Sequence, residues 1–456
     1  GYKALCSANL PDPTILLPNQ HFEVRTYTGT GAGNTQTLTG FEFAPDWVWG
    51  KSRTSAYNHG MFDTVRGATN RLWPNLTNAE ASNNAITAFT SDGYSVSTDA
   101  FNQNSQVTWN WNAGDTDGKT YTVKVVSDSG NKYRFDDFGT SAVTLDLAEG
   151  GTYIFDQSDS SNAGHPLRFY TAADKTGGEY TTGVTTAGTP GSSGAYTQIV
   201  VAASAPTLFY QCSVHAGMGG QANTNSTLGS SNFDGSIQST VKVNATAGFS
   251  IVSYEGNGTA GATIGHGLGV SANWIIAKNR DANYHWGVGS DDTPWTKNIR
   301  LNESSGSGDA AQAKSQWYET APTSTKFYVG DGDAGDYSAD TNVNNNSYIA
   351  YCFSEVAGYS KVGSYTGNGS SDGTFVFTGF RPAWVMIKNT EAGSTAWYIL
   401  DNKRDPDNPV QEYLAAEDSA AEGTYIFYDF LSNGFKLRNT GSAQNPSGQK
   451  VIYLAF

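Results

Sequence analysis

Apolar and polar residues alternate along most of this chain, in short runs. Tyr-Thr-Val-Lys-Val-Val at 121–126, Val-Thr-Leu-Asp-Leu at 143–147 and Thr-Gln-Ile-Val-Val at 197–201 repeatedly change side. A period of two marks a strand with one face buried. Clusters of Gly, Asn, Asp and Ser separate the runs and supply turns. Between 115 and 225 the same reading predicts further strands at 132–135, 152–155, 166–170 and 207–212. Helical periodicity is scarce. Its best candidates are the segments around Ala310–Ser315 and Val410–Ala416, and both are short.

The alternating pattern recurs in three copies. Tyr27-Thr-Gly-Thr-Gly31 returns as Tyr254-Glu-Gly-Asn-Gly258 and as Tyr365-Thr-Gly-Asn-Gly369. A tryptophan follows each tyrosine by 20, 20 and 19 residues, at Trp47, Trp274 and Trp384. A lysine sits four residues further on, at Lys51, Lys278 and Lys388. Each copy closes on an apolar strand: VTWNW at 107–111, YIAYCF at 348–353 and VIYLAF at 451–456. The copies therefore run over 22–113, 248–355 and 359–456, each the size of a small β-domain. Where their tryptophan strands end in Lys-Asn or Lys-Ser, the chain is expected to leave the core. Segment 115–225 lacks the repeat motif and reads as a separate β-domain between copies one and two. Residues 226–247 read as a linker strand, and 1–20 as the tail of a preceding domain. The predicted fold class is all-β: tandem antiparallel sandwiches (jelly-roll or concanavalin-like) and one further Greek-key sandwich.

Composition narrows the classes. With 52 glycines, 25 tyrosines, 22 phenylalanines and 11 tryptophans against three methionines, the chain favours strands and turns over helices. Aromatics are too frequent for disorder. No apolar run approaches the roughly 20 residues of a membrane helix. The 27 basic and 42 acidic residues leave a net charge of −15, which disfavours nucleic acid and anionic membranes as partners. Cys6, Cys212 and Cys352 are too few and too scattered for a disulfide framework. The chain opens on Gly1 without Met or signal peptide, and so reads as processed or as a segment of something longer.

One cluster carries chemistry. Leu208-Phe-Tyr-Gln-Cys-Ser-Val-His-Ala-Gly-Met218 places Cys212, His215 and Met218 within seven residues at a strand end. His165 lies 47 residues before the cysteine, just ahead of the strand at 166–170. A thiolate, two imidazoles and a thioether are the donor set of a blue-copper site. Set against this, a strand-end cysteine is often only a small core residue. Asp331-Gly-Asp-Ala-Gly-Asp336 could offer carboxylates to calcium, but it lacks the closing glutamate of an EF-hand and reads better as a solvated turn. His59, His266 and His285 have no ligand spacing. No serine elbow, phosphate loop, HExxH or dinucleotide fingerprint occurs, and the chain is not expected to be an enzyme.

Segment 115–225 resembles the cupredoxin family. The resemblance rests on Glu149-Gly-Gly-Thr-Tyr-Ile-Phe155, on His165-Pro-Leu-Arg-Phe169 and on the Cys212–His215 loop. It implies copper as cofactor, with His165, Cys212 and His215 as equatorial ligands. Met218 is the axial candidate, although it follows the second histidine more closely than in the best-known members. The repeats, with Phe62-Asp-Thr-Val-Arg-Gly67, Thr90-Ser-Asp-Gly-Tyr94, Ala247-Gly-Phe-Ser-Ile-Val-Ser-Tyr254 and Ile264-Gly-His-Gly-Leu-Gly269, resemble exterior virion proteins of marine bacteriophages, of the pelagiphage and cyanophage type. That resemblance implies a tail fibre or other surface appendage, located on the virion outside the cell. Its expected partners are further copies of the chain, other virion proteins, and a glycan or protein of the host surface. Alternatives are a copper protein for electron transfer or metal storage, and a bacterial adhesin or carbohydrate-binding protein.

Overall fold

The computed structural model describes residues 12–31, 33–97, 100–115, 118–224 and 228–456. The expectations on the opening segment and on Cys6 fall largely outside these residues. The protein is all-β, as the alternation predicts. Among the described residues the one α-helix is the single turn Ala339–Asn342. Neither helical candidate forms: Gln312–Lys314 is a 3-10 turn, and Val410–Ala415 is a strand. Val410 and Leu414 both turn inward on that strand, an i, i+4 spacing that a helix and a strand share.

The chain divides into two compact units. One comprises the chain up to Ala113, with Val243–Ala262 and Leu268–Phe456; the other comprises Gly114–Lys242 and Thr263–Gly267.

The first unit holds the three repeats, and the same four antiparallel strands recur in each, as the whole sheet in repeat one and as part of a larger sheet in repeats two and three. In repeat one the order is Phe22–Thr28, Ser105–Trp111, Trp47–Ser52, Gly60–Asp63. In repeat two the equivalent strands are Phe249–Glu255, Ser347–Phe353, Trp274–Asn279 and Trp286–Ser290. In repeat three they are Lys361–Thr366, Lys450–Ala455, Trp384–Asn389 and Tyr398–Asp401. The register is preserved as well. Trp47 lies opposite Trp111 and Asp63, and Trp274 opposite Phe353 and Ser290. Trp384 lies opposite Asp401 and exchanges two 3.0 Å backbone hydrogen bonds with Phe456.

All six residues of each tryptophan strand are buried. WVWG, WIIA and WVMI contain no polar alternate, which is how a strand covered on both faces reads. One face turns into an outer core within the repeat. Val48 joins Phe62, Tyr94 and Phe101 there, and Val385 and Ile387 join Phe427, Phe435 and Tyr453. The other face turns into a core that all three repeats share, built on Trp47, Trp109, Trp111, Trp274, Trp384 and Phe456. Trp47 stacks on Tyr351 at 4.2 Å, and Trp111 meets Trp384 edge-on at 5.8 Å. The three sandwiches are therefore not independent domains, because each leaves its largest aromatic face for its neighbours to cover.

The three lysines do not leave the core. Lys51, Lys278 and Lys388 are 0 % exposed. Each ammonium is capped by backbone carbonyls instead. Lys51 donates to Ser52 and Ser55 at 2.8 and 3.2 Å, and Lys278 to Asn279 and Ala282 at 2.6 and 3.2 Å. Lys388 donates to Ser304 at 2.9 Å and to Thr395. The strand's own last residue, the loop that folds back over it and, for Lys388, Ser304 of repeat two supply the acceptors, an arrangement that strand alternation does not encode.

The second unit is a two-sheet sandwich. One sheet runs Asn131–Phe135, Gly118–Ser127, Thr152–Asp156, Tyr196–Val200, Val184–Ala187; the other runs Leu145–Asp146, Gln221–Asn223, Leu208–Cys212, Leu167–Tyr170. Two of its pairings are parallel: Gly118–Ser127 with Thr152–Asp156, and Leu145–Asp146 with Gln221–Asn223. Tyr121, Phe135, Phe155, Phe169 and Tyr210 fill the space between. The expected linker strand belongs largely here. Phe233 enters this core, and the Ser231 carbonyl accepts a 2.8 Å hydrogen bond from the Tyr121 hydroxyl.

Candidate metal centre

Strand pairing in the second unit brings the donors together. Leu167–Tyr170 runs antiparallel to Leu208–Cys212, with Leu167 opposite Cys212. His165, two residues before that partner, therefore lies at the same sheet end as the cysteine. His215 follows in the adjoining loop, and its backbone N–H points at the sulfur, 3.4 Å away. Cys212 Sγ is 3.6 Å from His215 Nδ1 and 3.9 Å from His165 Nδ1. One ligand atom from each of the three residues lies within 4.8 Å of the other two. The imidazole centroids are 4.6 Å apart.

These separations suit a shared metal ion. Metal bonds of about 2.0 Å to nitrogen and about 2.3 Å to sulfur, opened to about 120°, set the two atoms about 3.7 Å apart. The two sulfur–nitrogen distances match that span. Cys212 is buried, His165 is half-buried and His215 is exposed. Burial first, then His215, lowers the pKa of His165, which favours the neutral imidazole that a metal requires.

Neighbouring residues fix the loops. The His165 carbonyl accepts hydrogen bonds from the Tyr133 hydroxyl and from Gln157 Nε2, both at 2.9 Å. Its own N–H donates to the Asn162 carbonyl at 2.8 Å. Lys175 Nζ donates to the carbonyls of Cys212, Ser213 and His215 at 3.1, 3.4 and 3.3 Å, pinning the second loop. Sequence reading missed Tyr133, Gln157 and Lys175, since each acts on backbone carbonyls and belongs to no motif. Met218 is 1 % exposed and shares the core cluster of Cys212. Its carbonyl accepts a 2.8 Å hydrogen bond from the Tyr133 N–H.

The remaining candidates have other occupations. Lys314 Nζ sits among Asp331, Asp333 and Asp336, at 3.0 Å from the first and 3.3 Å from the last. An ammonium already fills the position that a cation would take. His59 is buried, accepting from Trp49 Nε1 at Nδ1 and donating from Nε2 to the Ala415 carbonyl, both at 3.0 Å. His266 is also buried, and His285 pairs with Glu303 at 3.0 Å. Cys352 is fully buried, and burial pushes its thiol pKa far up.

No curated protein and no solved structure matches the chain. A family model does, over residues 17–150 and 222–456. The stretch it passes over, 151–221, holds His165, Cys212, His215 and Met218. With most of its length matched, the chain belongs to the family described as Domain of unknown function (DUF7483).

Proposed function

We propose that this chain is a structural protein of a virion exterior whose second unit carries a mononuclear copper centre. The observation that carries the copper reading is the convergence of one sulfur and two imidazole nitrogens at 3.6 and 3.9 Å. Mixed thiolate and imidazole donors suit both oxidation states of copper, and copper outranks zinc in affinity for such a set. Bound copper supplies one-electron exchange; the protein's part is to hold the donors in place. Cys212 serves as thiolate, with His165 and His215 as neutral imidazoles. Tyr133, Gln157 and Lys175 hold the two loops at the ligand spacing before any metal arrives. The exposed edge of His215 is where a redox partner reaches the site. The resemblance to cupredoxins agrees with this reading.

The virion reading rests on the resemblance of the repeats. Three sandwiches locked on a common aromatic core also make a stiff scaffold, suited to displaying loops outside a cell. Copies of the chain, other virion proteins and a host-surface glycan or protein are its proposed partners.

Cu(II) titration of the full chain, followed by visible absorption, tests the centre. An intense thiolate-to-copper band is expected in the wild type and is lost in Cys212→Ser. A wild type without the band, or a band that survives the substitution, sinks the copper reading. Immunogold labelling of intact particles with an antibody to the chain tests location separately.

A further inference from the structure

In repeat three, one strand departs from regular pairing. Val410 pairs with Tyr428, and Glu412 pairs with Thr424. Between these pairs Gln411 alone faces Tyr425, Ile426 and Phe427, so Gly423–Leu431 carries two extra residues. Bulges re-aim side chains and gather beside functional sites. Here the bulge turns Phe427 inward, fully buried, and leaves Tyr425 and Ile426 44 % and 45 % exposed.

Tyr425 closes one side of a cleft of about 340 Å³. Tyr398, Tyr413, Phe427, Ser442 and Gln444 also line it, and no charged side chain does. The aromatic rings stand as walls rather than a stack. Tyr398 and Tyr413 meet at 81° and 5.3 Å, and Tyr425 and Phe427 at 87° and 5.6 Å. Gly423 secures the arrangement, since a Cβ there would lie 2.5 Å from the Tyr413 ring. Neither the Tyr413 nor the Tyr425 hydroxyl makes a hydrogen bond within the described protein, so both are available to a ligand.

We propose that this cleft binds a neutral saccharide. Flat aromatic walls match the C–H faces of a sugar ring, while the free phenols of Tyr413 and Tyr425 and the exposed Ser442 match its hydroxyls. The uncharged lining offers nothing to a carboxylate or phosphate, and the net charge of −15 repels acidic ligands. The proposal deepens the host-surface reading, on which it rests for the source of the sugar, and names its site and ligand class.

The test titrates the full chain with neutral gluco-, galacto-, manno- and N-acetylglucosamine oligosaccharides, and with oligogalacturonate as the acidic counterpart. Calorimetry gives the affinity, and saturation-transfer NMR identifies the sugar protons in contact. A neutral oligosaccharide is expected to bind. Tyr425→Ala should weaken it by roughly tenfold or more, as losing a central aromatic anchor does. Tyr425→Phe should retain most of the affinity. Tyr57→Ala, at an exposed tyrosine outside the cleft, should leave it unchanged. Near-ultraviolet dichroism shows whether each variant folds. Three results overturn the proposal: no neutral sugar binds, the acidic oligomer binds more tightly, or binding persists in both Tyr425→Ala and Tyr413→Ala. Particle labelling stands apart from all three, so the saccharide site and the virion reading fail separately.

Discussion

Lys51, Lys278 and Lys388 occupy one position in three repeats, and each holds an amine in the core. Burial lowers their pKa values from the ordinary 10.5 to about 8, about 7 and about 8, against the opposing pull of nearby carboxylates such as Asp418, Asp340 and Glu417. A lysine whose folded pKa is depressed binds fewer protons in the folded state than in the unfolded one between those values. Stability contributed by these groups therefore rises with pH from about 7 toward 10, by at most about 1.4 kcal/mol per pH unit for each lysine. Above pH 10 buried tyrosines such as Tyr351 and Tyr428, whose pKa values burial raises, reverse the trend. Chemical denaturation at pH 7 and pH 9.5 should show the gain, and Lys278→Met should reduce it; a flat profile contradicts the assignment. The proposed copper centre gives a second expectation at this scale. His165→Gln removes one of two imidazole donors and should weaken copper binding while leaving the fold intact, as judged by near-ultraviolet dichroism.

The turn after the last-named strand of each repeat sheet (Gly60–Asp63, Trp286–Ser290 and Tyr398–Asp401) joins neighbouring repeats. In repeat one, Asp63 and Arg66 pair at 2.5 Å with both side chains fully buried, and the Tyr351 hydroxyl of repeat two donates to Asp63 at 2.8 Å. In repeat three, Asp401 and Arg404 pair at 2.6 Å, equally buried, and Trp109 Nε1 of repeat one donates to Asp401 at 3.0 Å. Repeat two has Ser290 and Thr293 at these positions, and reaches repeat three through Asp292, which accepts from the Ser364 hydroxyl at 2.6 Å. The links thus run from one to two, two to three and three to one. Breaking a buried pair strands a charge, at a cost of about 3–5 kcal/mol. Arg404→Met should lose about that much in urea denaturation. Asp401→Asn combined with Arg404→Met should recover part of it, because no lone carboxylate remains. A loss below about 1 kcal/mol for Arg404→Met places the pair among weak surface contacts.

At the scale of the whole chain, the proposed copper centre predicts that the two compact units differ in their response to the metal. A ligand that binds only the folded state stabilises what holds it, by about 2.7 kcal/mol at a hundredfold excess over its dissociation constant. Copper should therefore slow amide exchange in the core strands of the second unit, including Leu208–Cys212 and Leu167–Tyr170. The tryptophan strands of the first unit should be unaffected. Exchange followed peptide by peptide checks this, and equal slowing across both units tells against a centre confined to the second.

Alternation, turn residues and the recurring Tyr, Trp and Lys spacing determined the all-β class, the three copies and most strands, because side-chain direction along a strand is a local consequence of a two-residue period. The clustering of His165, Cys212 and His215 was legible too: Cys212 and His215 share one loop, and His165 precedes a recognisable strand. Tertiary structure alone decided where the large faces went. WVWG, WIIA and WVMI show that both sides of a strand are covered, but not that the cover is another repeat. Likewise Lys278 reads as a residue leaving the core until a folded-back loop brings the Ala282 carbonyl to its amine. The bulge that exposes Tyr425, the capture of Lys314 by three aspartates and the hold of Lys175 on the Cys212–His215 loop all depend on chain segments that meet only after folding. Local pattern specifies which residues can be buried; long-range closure selects the partners that bury them.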